Sequence, residues 1–112
     1  MTTIFGQIIA GEVPCDKIFE NEHVIAFHDI APQAPVHILI VPKKEIRDLQ
    51  SIGEEDRGIL AEVVACAQQL AKELKIEEGY RLMTNCGPNA GQTVFHLHFH
   101  LLGGKRLSDT LG

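Results

Sequence analysis

Tryptophan is absent from this 112-residue chain, and one tyrosine and five phenylalanines are its only aromatic residues. Cysteine is scarce as well: Cys15, Cys66 and Cys86 are the only three. The count is odd and no pair is spaced Cys-x-x-Cys, which argues against a disulfide framework and for a reducing compartment. No apolar run approaches the roughly 20 residues of a membrane span. The first residues carry neither a basic segment nor a long apolar stretch, so no secretory leader is expected. Positive charge is in deficit too. Ten Lys and Arg stand against fifteen Asp and Glu, a net charge of −5 with histidine neutral. General attraction to nucleic-acid backbone is therefore not expected, and any anionic ligand has to be held by a local site. These absences predict a cytoplasmic protein, one domain over residues 1–112, with neither nucleic acid nor membrane as a partner.

What the chain does have is periodicity. Ile4, Phe5, Ile8 and Ile9 share a helical face, and Gly11 and Pro14 end that short helix. Lys17–Glu20 and His23–His28 read as a hairpin about Asn21-Glu22. Asp29–Pro35, with two prolines, is a loop. Val36–Val41 is a nearly continuous apolar strand whose one polar residue is His37, closed by Pro42. Lys43–Gln50 is a charged connector. Ser51-Ile52-Gly53-Glu54 fits a capping box, and a long helix is predicted from there to about Lys75. Its stripe is Ile59, Leu60, Val63, Val64, Ala67, Leu70, Ala71 and Leu74. Tyr80–Cys86 reads as a strand, Gly87–Gln92 as a glycine-bearing loop, and Thr93–Leu102 as the last strand, followed by a polar tail whose end, about residues 105–112, is expected to be mobile. The order predicts an α+β domain: an antiparallel sheet of about five strands, one long helix on one face and a short N-terminal helix.

The last strand carries the chemistry. In Val94–Leu102, His96, His98 and His100 alternate with Phe95, Leu97, Phe99 and Leu101, so a strand sends the imidazoles to one face and the apolar residues to the other. The three histidines span about 13–14 Å along a strand, too far for one metal ion with ligand bonds near 2 Å. Two neighbours suffice for a shared zinc, but no carboxylate or cysteine nearby completes a shell, so no metal and no cofactor are expected. A row of imidazoles does suit phosphoryl chemistry, one as nucleophile and its neighbours as donors to non-bridging oxygens. The preceding loop fits such a ligand: Gly87 and Gly91 allow close backbone approach, consecutive N–H groups form an anion-binding concavity, and Thr93 adds a hydroxyl. A plain hairpin turn at Gly87-Pro88-Asn89 is the other reading of that loop.

Asn85-x-Gly87, Gly91-Gln92-Thr93-Val94 and His96-x-His98-x-His100-Leu101-Leu102 resemble the signature of the histidine triad (HIT) superfamily. Phe27 to Pro35, then His37 and Pro42-Lys43, is similar to its second block, and Ile4-Phe5-Gly6 with Ile8-Ile9 to its N-terminal block. The likeness runs from about residue 3 to residue 104 and is greatest to the Hint-like nucleotide-binding branch. The resemblance implies a purine nucleotide hydrolase acting on nucleoside phosphoramidates or acyl-nucleotidates through a nucleotidyl-histidine. His98 would be the nucleophile. His100 and the backbone around Gly91, Gln92 and Thr93 would hold the phosphate. His96 would orient the site with His37 as its partner, and the nucleophile's other ring nitrogen would be fixed by a backbone carbonyl. Asp29 would grip the ribose hydroxyls; Ile30, Phe27, Phe5, Ile8 and Val13 would line the base pocket; Asn85 would bind ribose or phosphate. The resemblance also implies a homodimer joined by the long helix and an edge strand.

The tail from Lys105 to Gly112 lacks the Trp-bearing segment common in that branch, which leaves the leaving group open. Dinucleoside polyphosphate hydrolysis is an alternative from a sister branch, and a nucleotide-binding regulatory dimer without catalysis is another. A uridylyl-transferring branch carries Gln in place of the last histidine, and His100 disfavours it. No role is assigned to His28, and His23 is expected to be solvated.

Overall fold

The computed structural model describes residues 3–110. Helix α1 (Ile4–Ile9) leads into strands β1 (Lys17–Glu20), β2 (Val24–His28) and β3 (Val36–Pro42). Helix α2 (Gly58–Glu73) precedes β4 (Tyr80–Met83) and β5 (Phe99–Gly103). The five strands form one antiparallel sheet in the order β1-β2-β3-β5-β4. The predicted α+β architecture is the one observed, and among the described residues no helix is long and apolar enough to cross a membrane.

Alternation on the three inner strands, β2, β3 and β5, sorts the core. Val24, Ala26, Ile38, Ile40, Leu97, Phe99 and Leu101 meet Val63, Cys66, Ala67, Leu70 and Ala71 of α2. The residues between them, Ile25, Phe27, Leu39 and Val41, pack on the other face under Phe5 of α1. One sheet face is thus sealed by α2, and the other is covered only at one end by the short helix.

Five expectations need correction. The histidine strand is shorter than its pattern: β5 begins at Phe99, and residues 93–98 are irregular. The ladder to β3 starts at Ile40↔Phe99, while Leu97 N–H instead donates to the Ile46 carbonyl. Likewise β4 stops at Met83 rather than Cys86. The Ser51–Glu54 capping box does not form. Ser51 Oγ donates back to Asp48 Oδ1 at 2.7 Å, and Glu54–Asp56 make a separate 3₁₀ turn before α2 begins at Gly58. Val64 is 45% exposed, outside the buried stripe of α2, whose buried members are Val63, Cys66, Ala67, Leu70 and Ala71. Phe95, placed with the apolar row, is half-buried away from both core clusters, with the Arg47 guanidinium 4.3 Å from its ring centroid.

Candidate active site

The open face of the sheet is organised in rows set by strand register. Phe27, Leu39, His100 and Met83 are cross-strand neighbours in one row; His37, Leu102 and Arg81 form the next. His37 and His100 therefore lie diagonally on adjacent strands, and their rings meet with Nε2 of His37 2.9 Å from Nδ1 of His100. The predicted partnership of His37 with His96 is corrected here. His96 lies four residues before His100 and is bonded elsewhere.

Backbone groups dictate the tautomers. Gln33 N–H donates to Nδ1 of His37 at 3.0 Å, so that nitrogen carries the lone pair and Nε2 carries the proton. Nε2–H of His37 then donates to Nδ1 of His100, which leaves the His100 proton on Nε2. For His98 the order is reversed. Its Nδ1 lies 2.8 Å from the His96 carbonyl, which can only accept, so Nδ1 is protonated and Nε2 holds a lone pair. Two adjacent imidazoles are held in opposite tautomers, one with a basic nitrogen to offer and one with an N–H.

His96 completes the scaffold. Its Nε2–H donates to the Pro42 carbonyl at 2.8 Å, and its Nδ1 faces the Thr3 hydroxyl at 3.4 Å. The same Thr3 oxygen accepts from Gly6 N–H and caps α1. At 1% exposure His96 is interior, not part of an open row of rings. With Nε2 protonated, its one lone pair, on Nδ1, faces the Thr3 hydroxyl. Phe5 lies edge-on against His98, ring centroids 4.9 Å apart, and fixes its ring from the α1 side.

Burial keeps the rings neutral. Loss of solvent pushes His98 and His37 below the ordinary histidine value. The same cause, with the neighbouring His98 and His37 charges adding to it, pushes His100 down to about 4. Asp29 follows β2, its N–H paired to the His37 carbonyl. Its Oδ1 accepts from Ala31 N–H at 2.8 Å, and its Oδ2 lies 3.4 Å from Nε2 of His37. Ligand atoms of Asp29, His37 and His100 fall within 4.8 Å of one another. A cation there would have to displace the proton that His37 shares with His100.

The glycine loop folds differently from the expected amide cradle. Ala90, Gly91 and Gln92 N–H groups donate to Gly87, Pro88 and Gly87 carbonyls inside a 3₁₀ turn, Pro88–Ala90. Gly87 (φ +90°) and Gly91 (φ +92°) take up backbone conformations that other residues rarely adopt. Gln92 is buried, and its side chain holds the loop: Oε1 accepts from Gly87 N–H, and Nε2 donates to the Arg47 and Val94 carbonyls. Thr93 follows, exposed, with Asn85 half-buried across the loop.

Of the expected base-pocket residues, Phe5 and Phe27 are buried together, their rings 5.8 Å apart, with Ile8 packed against the same cluster. Ile8 and Val13 also border a separate groove of about 320 Å³ that shares Ile25. Ile30, beside Asp29, is fully exposed. Thr3, Gln33, Pro42 and Thr84 escaped the sequence reading. Thr84 donates its hydroxyl to the His98 carbonyl at 2.7 Å, just where the β4–β5 ladder has ended. A hydroxyl at the end of a strand was the one available signal. The others act through backbone atoms or a helix cap.

Comparison with known proteins identifies the family. The HIT domain family model matches residues 10–107. The chain belongs to the HIT family. An uncharacterized HIT-like protein of Chlamydia trachomatis serovar D is 55% identical, covering 97% of this chain and 98% of that one. A HIT family hydrolase from Clostridium thermocellum superposes with a TM-score of 0.94 at 48% identity, covering 97% of this chain and 96% of that one. A histidine triad nucleotide-binding protein from Candida albicans superposes at 0.81 with 32% identity, covering 99% and 87%. The matched residues include His37, His96, His98 and His100.

Proposed function

We propose that this HIT protein hydrolyses purine nucleoside phosphoramidates or acyl-nucleotidates and releases a nucleoside monophosphate. The observation that carries the reading is the opposed tautomers of His98 and His100. Nε2 of His98 attacks the α-phosphorus. The bond from phosphorus to the leaving nitrogen or oxygen breaks and the leaving atom keeps the electron pair; a leaving amine takes a proton from water, and a leaving carboxylate departs as the anion. The Nδ1–H···O=C bond to His96 stabilises the positive charge that the ring gains. Nε2–H of His100 donates to a non-bridging oxygen as negative charge builds there, and the Thr93 hydroxyl adds a second donor. Water then attacks the phosphorus, breaks its bond to Nε2 and restores His98.

Asp29 accepts from the ribose hydroxyls through Oδ2, since Oδ1 is engaged by Ala31. Phe5, Phe27, Ile8, Val13 and the exposed Ile30 line the base site, and Asn85 contacts ribose or phosphate. Similarity to the Clostridium hydrolase and the Candida nucleotide-binding protein supports the same class. The protein acts in the cytoplasm, in keeping with free Cys15, Cys66 and Cys86. It acts as a homodimer. β4 is an edge strand, and Val64 and Tyr80 are exposed apolar residues on α2 and that strand.

The test is to trap the intermediate. After a brief incubation with an adenosine phosphoramidate and an acid-free quench, the peptide holding His98 gains one adenylyl group. His98→Ala keeps the fold and shows neither the adduct nor turnover. Full turnover by that variant rules out the mechanism; AMP binding without turnover by the native protein favours a regulatory module.

A further inference from the structure

The two flanks of the histidine face differ in chemistry. Toward β2 and α1 the face is apolar, with Phe5, Ile25 and Phe27. Toward β4 it is cationic. Arg81 lies directly across from Leu102 and one pleat repeat from Met83, the residue opposite His100. With strands about 4.8 Å apart and alternate residues about 6.8 Å apart, Arg81 and His100 are roughly 8 Å from each other along the diagonal. That is within the reach of an arginine side chain and a small leaving group.

Beyond Arg81 an open cavity of about 810 Å³ is bordered by Gln33, Leu102, Lys105, Arg106 and Asp109. Gln33 joins it to the histidines, because its N–H is the donor to His37. Arg81 is half-buried, and its Nη2 donates to the Ser108 carbonyl at 2.6 Å, which holds the tail over this flank. The cavity has three cationic side chains and one carboxylate, Asp109, whose Oδ1 lies 3.5 Å from Arg106 Nη2. The chain as a whole carries −5, so its long-range field repels anions. A cationic cluster bordering the site has the opposite local effect.

We propose that this cavity receives the leaving group and selects one that carries negative charge, such as an amine bearing carboxylates. The inference rests on the hydrolase reading above. With the nucleoside on the β2 flank, in-line attack sends the departing group to the side opposite Nε2 of His98, and along β5 that direction leads past His100 to Leu102, with Arg81 directly across. There the Arg81 guanidinium offers paired N–H donors to a carboxylate, and Lys105 and Arg106 add charge.

Two adenosine 5′-phosphoramidates of nearly equal shape test this, one made from aspartate and one from asparaginamide. The native protein favours the aspartate conjugate about tenfold in kcat/KM at low salt, and the preference shrinks as salt is raised. Arg81→Gln slows the aspartate conjugate about tenfold and the asparaginamide conjugate less than threefold; Arg81→Lys retains part of the preference. Equal rates on the two conjugates, or equal losses on both in Arg81→Gln, overturn the inference while the hydrolase stands. No turnover of either conjugate by the native protein removes the hydrolase reading and this inference with it.

Discussion

Nε2 of His37 lies 2.9 Å from Nδ1 of His100, and this hydrogen bond determines which nitrogen of His100 carries its proton. The information originates one residue further back, in the Gln33 amide that donates to His37. A backbone N–H cannot change its protonation, so the relay has one direction: Gln33 to His37 to His100.

Removing the middle of that relay frees His100 to adopt either tautomer. His37→Ala lowers kcat on an adenosine phosphoramidate about 10–100-fold, less than the loss of a group that transfers a proton itself, because His37 acts through His100. KM changes little, because His37 does not touch the substrate. Steady-state kinetics with the variant's fold checked by circular dichroism measures it; a loss confined to KM contradicts the relay.

The same burial that keeps these rings neutral makes stability depend on pH. In the unfolded chain His100 titrates near 6.5, and in the folded protein at about 4. Above pH 6.5 both states are neutral and the ring adds no slope. Between 6.5 and 4 the unfolded chain binds a proton that the folded one refuses, so stability falls as pH falls, by about 2 kcal/mol for this ring after allowance for its partial exposure. His37 and His98, also pushed down, add in the same direction. Urea unfolding at pH 7 and pH 4.5 should show a smaller stability difference for His100→Gln than for the native protein.

How much of this was legible in the sequence follows from which atoms carry the information. Alternation from Leu97 to Leu101 fixed which side chains face α2 and which face away, because a pleat leaves no other choice. The same alternation overran the strand, since the period of Val94–His98 persists where Ile46, Pro42 and Thr84 replace the ladder as partners. The tautomers were less legible. They depend on carbonyls of His96 and Pro42 and an amide of Gln33, backbone groups that carry no side-chain signal, and which of them converge is decided by the fold. The pairing of His37 with His100 instead of His96 depends on register, which Val36–Val41 alone does not specify.

Gln92 provides a sharper test than a glycine change in the same loop. Its amide meets one donor and two acceptors, so both ends are specified. Gln92→Ala leaves the Gly87 N–H and two carbonyls without their partner and costs about 2–3 kcal/mol. Gln92→Glu keeps the shape and the acceptor for Gly87 but aims a carboxylate oxygen at the Arg47 and Val94 carbonyls. At pH 7 it is at least as destabilising as the alanine variant, and it recovers part of the loss as acid protonates the carboxyl. Chemical denaturation of both variants at pH 7 and pH 5 decides; a glutamate variant of native stability at pH 7 would show that the amide nitrogen contributes nothing.

Far from the histidines, the end of α2 offers a change that should stabilise the protein. Leu74 caps the helix, Lys75 N–H donates to the Lys72 carbonyl, and Ile76 N–H donates to the Ala71 carbonyl at 2.8 Å. These two bonds are the Schellman pattern, which needs a left-handed residue at the position after the cap. That residue is Lys75, at φ +60°, and it is the one non-glycine residue with positive φ among those described. A Cβ there incurs a conformational cost that glycine avoids, about 1 kcal/mol, whereas the lysine side chain is exposed and contributes only a favourable charge near the helix end. Lys75→Gly gains about 0.5–1 kcal/mol, or a few degrees in Tm, with turnover unchanged, because Ile76 still closes the motif. A fall in Tm would mean that the lysine charge at the helix C-terminus outweighs the backbone strain.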